Sequence, residues 1–146
     1  MQKNLITSID LAFTPEQVWE VLTQLEKYGE WNPFIIRSSG KIRVGEMLQN
    51  TMMNGAKEIT FKPRVLQVEE NRHFEWLGHL WFKGVFDGRH YFKLEASEKG
   101  TRLTHGENFS GLLSGLILKQ IGEQTKQNFI QMNEALEKEL ERRFAG

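Results

Sequence analysis

The stretch FDGRHYFKLEASEKGTRLTHGENFSG, Phe86–Gly111, decides how this chain folds. Two runs of alternating residues flank SEKG (97–100), a cluster of the kind that reverses a chain. Side chains alternate faces along a strand. Phe86, Gly88, His90, Phe92 and Leu94 share one face of the first run; Leu103, His105, Glu107 and Phe109 share one face of the second. With Ala96 opposite Thr101, Leu94 lies opposite Leu103, Phe92 opposite His105, His90 opposite Glu107 and Gly88 opposite Phe109. A slip of one residue would set an apolar face against a polar one. The pattern predicts an antiparallel hairpin whose apolar inner face carries two imidazoles and a carboxylate. Directly opposed side chains sit about 5 Å apart, so His90 and Glu107 are expected to hydrogen-bond, with His105 diagonally near.

Working outward, strand signals run from Ile35 to Phe109, with turn-rich breaks at SSGK (38–41), MNGAK (53–57), EENR (69–72) and FKG (82–84) besides SEKG. Six strands on short connections favour an antiparallel meander. Phe74, Trp76, Gly78 and Leu80 should join the inner face. Ile6 to Phe13 reads as an earlier strand. In TPEQVWEVLTQL (14–25), Thr14 is a good N-cap, Pro15 suits the first helical position and Gln17 completes a capping box. EKYGEWNPF (26–34) reads as a second short helix, broken by Gly29 and closed at Asn32-Pro33. From about Leu112 to Phe144 the pattern is one long helix, with Leu113, Leu116, Ile117, Ile121, Phe129, Met132, Leu136 and Leu140 on one stripe.

The expected fold class is α+β. A seven-stranded antiparallel sheet curls around a long C-terminal helix, with two short helices after the first strand. Residues 1–146 are expected to form one domain, long enough to bury about 70% of its unfolded surface. One helix rarely fills a strongly curved sheet, so a cavity is expected. The 19 basic and 19 acidic residues cancel, which removes any net attraction to nucleic acid or anionic lipid. With no cysteine, disulfides, thiolate metal sites and cysteine nucleophiles are excluded. Neither a signal peptide nor a stretch of about 20 apolar residues is found. A cytoplasmic protein without stable membrane insertion, monomeric or homodimeric, is the expectation.

The element order and four segments, TPEQVWEVLTQLEKYGEWNPF, FKPRVLQVEENRHFEWLG, FDGRHYFKLE and GTRLTHGENFSGLL, resemble the START and birch-pollen-allergen superfamily (SRPBCC proteins), in its bacterial polyketide cyclase/dehydrase-like branch. The resemblance covers nearly the whole chain and implies the helix-grip fold. It also implies a cavity for a small hydrophobic or amphipathic ligand, such as a lipid or polyketide. Family members include carriers, receptors and cyclases, so the resemblance specifies fold better than function.

Phe34, Trp76, Phe86, His90, Phe92, His105, Glu107, Phe109, Leu113, Leu116 and Ile117 are the expected ligand-binding residues, with Trp31 and Trp81 at the cavity mouth and Phe82 beside the latter. In a binding protein, His90, His105 and Glu107 would fix the polar end of the ligand; in a cyclase or dehydratase, the same three would be the acid–base candidates. Alternatively they settle one another's charge in a filled core. A further alternative is a protein-interaction module, like the Hsp90-activator relatives of the superfamily. No cofactor is expected. No metal is expected either, since the four histidines show no paired ligand spacing and His73 and His79 fall on the opposite face from His90. No basic patch with interleaved aromatics points to nucleic acid.

Overall fold

The computed structural model describes residues 3–80 and 83–145, excluding the Leu80 side chain. Strand β1 (Lys3–Leu11) leads to helix α1 (Pro15–Thr23). The capping box is present: Thr14 Oγ1 accepts from the Gln17 amide, and Gln17 Oε1 accepts from the Thr14 amide. Val18, Val21 and Leu22 form the buried face of α1. A 3₁₀ turn (Leu25–Lys27) and a one-turn helix, α2 (Tyr28–Trp31), follow. Asn32 Oδ1 then accepts from the amides of Phe34 and Ile35 and turns the chain into β2 (Ile35–Ser39).

The remaining strands are β3 (Gln49–Asn54), β4 (Lys57–Phe61), β5 (Arg64–Glu69), β6 (His73–Leu80), β7 (Phe86–Ser97) and β8 (Gly100–Ser110), with α3 (Ser114–Phe144) last. All described strand pairs are antiparallel. They form two sheets, in the orders β1-β8-β7-β6-β5 and β2-β3-β4, which corrects the expected single seven-stranded sheet. The reason is Pro63. Its ring removes an amide donor and constrains the residue before it, so the run from Lys57 to Glu69 divides into β4 and β5 in different sheets. The segment before β3 is mostly irregular, held by contacts such as Leu48 N to Pro63 O.

The β7–β8 hairpin has the expected register at every named pair. Phe74 and Trp76 on β6 lie opposite Phe92 and His90. Leu11, Phe74, Phe92 and Leu103 meet Phe129, Met132, Leu136 and Leu140 of α3 in one apolar cluster. Glu139 anchors the C-terminal end of α3. It accepts from Arg142 and Arg143, while Arg143 also donates to Gln24 beyond α1. Those two guanidinium groups hold the Glu139 pKa down to about 2. The first half of α3 is different: Leu116 on the expected stripe is 60% exposed and Leu113 39%.

Candidate functional site

A cavity lies between the inner face of the larger sheet, the smaller sheet and α3. Trp76, Phe86, Phe109 and Phe34 supply aromatic walls, Met52, Ile59 and Phe61 line the smaller-sheet side, and Ile121 and Thr125 come from α3. Gly78 admits the Phe61 ring, which would stand 3.2 Å from a Cβ there. The enclosed space is about 80 Å³, within a concavity of about 770 Å³ that includes its open mouth. Pockets for drug-sized ligands are about 300–1,000 Å³, and a cavity of about 150 Å³ can hold benzene. A ring-sized ligand therefore requires the walls to move.

The polar end is built by the hairpin register. His90 Nδ1 lies 2.9 Å from Glu107 Oε1, and His90 Nε2 lies 2.8 Å from His105 Nε2. The chain continues through His105 Nδ1 to Asn133 Oδ1 (2.8 Å), then from Asn133 Nδ2 to Thr7 Oγ1 (2.9 Å). Trp76 stacks on the His90 ring and Phe129 on the His105 ring, with centroids 4.8 and 4.4 Å apart. Burial first, and the neighbouring His90 ring second, hold the His105 pKa well below the usual imidazole range. Glu107 keeps 17% of its side chain exposed, against 4% for His90. Gly88 makes this possible, because a Cβ at that position would overlap Glu107 Oε2.

Of the expected site residues, Phe34, Trp76, Phe86, His90, Glu107 and Phe109 line the cavity. Phe92 and His105 are fully buried, outside that lining. Leu113, Leu116 and Ile117 also lie off the lining, at the start of α3. Trp31 is half-buried, its ring packed edge-on against Tyr28 rather than lining the cavity. Trp81 and Phe82 lie outside the described residues. Sequence reasoning missed Asn133, although its signal was present. Asn133 is four residues after Phe129 and three before Leu136, so the helical period carries an amide into the buried stripe. Thr7, Met52 and Ile59 carried no comparable mark.

Among the described residues, no group of three His, Asp or Glu side chains could hold a metal ion, and no helix is long and apolar enough to cross a membrane. No curated protein matches the sequence. Many solved structures share the fold. Protein MLL2253 from Mesorhizobium loti superposes with a TM-score of 0.78 at 22% identity, covering 97% of this chain and 98% of that one. The ZhuI aromatase/cyclase from Streptomyces sp. R1128 gives 0.79 at 16% identity, covering 100% and 99%. Ara h 8.0201 gives 0.72 at 15% identity, covering 96% and 98%. At such identities the likeness concerns the fold. Residues 4–141 match the family described as polyketide cyclase / dehydrase and lipid transport; the chain belongs to that family, within the START and birch-pollen-allergen superfamily.

Proposed function

We propose that this chain binds a small, largely apolar molecule between α3 and the two sheets, with one polar group of the ligand held at Glu107. The observation that carries this reading is an apolar, aromatic-walled cavity with a carboxylate converging on one end, the usual design of a small-molecule site. The family's association with polyketide cyclisation and lipid transport supports a ligand with an extended apolar body. A ring-sized ligand needs more than the enclosed space, and the lining can yield by a change of rotamer at Met52 and Met53 or by outward movement of the first half of α3. Methionine, unbranched and flexible, suits the first route. The thinly buried first half of α3 suits the second.

A cyclase or dehydratase is the second reading, favoured by the His90–Glu107 contact at the cavity wall, where a shared proton could serve acid–base chemistry. His105 would act only through His90. Native mass spectrometry of the protein purified from its own cells tests the binding reading, with a retained small molecule as the expected result. A bare chain that also fails to bind simple apolar probes would overturn it.

A further inference from the structure

The contacts around His105 determine where hydrogens sit. The His105 carbonyl has none, so the Thr7 hydroxyl donates to it at 2.8 Å. Thr7 Oγ1 must then accept, and only the amide nitrogen of Asn133 can donate to it. This turns Asn133 Oδ1 toward His105 Nδ1, which therefore carries a hydrogen.

Two contacts remain, His105 Nε2 with His90 Nε2 and His90 Nδ1 with Glu107 Oε1, and each requires one hydrogen. Three arrangements supply both. Glu107 is an acid donating from Oε1 to a neutral His90; or His90 is an imidazolium donating to a Glu107 carboxylate; or His105 is the imidazolium and His90 passes its Nδ1 hydrogen to that carboxylate. Burial and the His90 ring work against the third. All three share two properties. The chain of groups has no net charge, and Glu107 Oε2 carries no hydrogen. Oε2 rests over Gly88, and both residues line the cavity. Among the described residues, the hydrogen bond that Glu107 makes runs through Oε1. A hydrogen on Oε2 would give this buried chain of groups a net positive charge, which desolvation opposes, so Glu107 Oε2 is an acceptor in the neutral chain.

We propose that the cavity selects a neutral ligand bearing a hydroxyl, an alcohol or phenol on an apolar ring system, whose O–H donates to Glu107 Oε2. This rests on the binding reading above and narrows it. A carbonyl or carboxylate in the same place sets lone pairs against lone pairs. An ammonium group finds a donor-free oxygen but no net negative charge to offset its desolvation.

The test is calorimetric titration of the full chain with naphthalene, 2-naphthol, 2-acetylnaphthalene, 2-naphthoate and 2-naphthylmethylammonium. The expected result is 2-naphthol tighter than 2-acetylnaphthalene by roughly tenfold or more, the worth of one hydrogen bond to this acceptor, with 2-naphthoate weakest. Glu107→Met should erase that preference and leave naphthalene binding in place. Glu107→Gln should keep it, because the new amide nitrogen donates to His90 Nδ1 and leaves a carbonyl oxygen over Gly88. Equal affinities, a tighter ketone or ammonium probe, or a preference surviving in Glu107→Met would overturn the inference while leaving apolar binding intact. Failure of every probe to bind the unaltered chain would overturn the binding reading and this inference together. Should Glu107→Met fail to fold, the ranking of the five probes on the unaltered chain decides.

Discussion

Glu75 and Glu107 are both shielded carboxylates paired with a histidine, and they lie on opposite faces of one sheet. On the outer face, Glu75 uses both oxygens: His73 Nε2 meets Oε1 at 2.9 Å, and Arg89 meets Oε2 through Nε and Nη2 at 2.9 and 2.6 Å. On the inner face, among the described residues, Glu107 is met at Oε1 by His90 Nδ1 at 2.9 Å. Glu75 also has a permanent cation, whereas Glu107 has an imidazole whose other nitrogen is committed to a second imidazole. Burial of a carboxylate is thus a poor marker of a site.

The largest effect on this contrast should come from His105→Leu. It leaves the His90 ring and the Asn133 amide without their buried partner, each loss costing about 1–3 kcal/mol. Urea unfolding should show a fall of about 2–6 kcal/mol in total. A fall below 1 kcal/mol would mean that the inner chain of hydrogen bonds holds little together.

Acid is the next way to separate the faces. His105 faces the His90 ring, Asn133 and Phe129, with Glu107 beyond His90. Its folded pKa lies below the unfolded 6.5, so the unfolded chain binds more protons in that window. The contribution is fully present above pH 6.5 and is lost as pH falls toward the folded pKa. The expected slope from this group is up to about 1.4 kcal/mol per pH unit. Unfolding free energies measured from pH 7 to pH 5 should show that slope in the unaltered chain and a shallower one in His105→Leu. Equal slopes would place the acid sensitivity elsewhere.

Smaller again is the outer pair. Glu75→Gln releases Arg89, whose side chain is 56% exposed and returns to water, so a loss of about 1 kcal/mol is expected in urea unfolding. A loss above 3 kcal/mol would make the outer cluster the dominant one. Glu107→Gln should change stability least, within about 0.5 kcal/mol, because its amide still satisfies His90. A large loss there would show that the His90 imidazolium–carboxylate ion pair, rather than the hydrogen bond, stabilises the inner face.

Much of this was legible in the sequence. A four-residue turn and an apolar inner face leave the β7–β8 hairpin one register, and that register alone places His90 opposite Glu107. Thr14, Pro15 and Gln17 mark the start of α1 through contacts made within one turn. Pro63 could have been read as a break, since the missing amide and restricted backbone are local properties. The expected partners Leu113 and Leu116 show the limit of periodicity. They share the helical stripe with Phe129, yet burial depends on what stands across from each turn, and at the start of α3 the apolar cluster no longer does.

The sequence by itself determined the parity of the last hairpin and the pairing of His90 with Glu107, because each follows from contacts close along the chain or from strict alternation. Tertiary structure alone decided that Asn133 and Thr7 complete the hydrogen-bond chain, from 28 and 98 residues away from His105. It also decided that the enclosed space is small. These depend on how a helix docks across a sheet, a distance that no local pattern encodes.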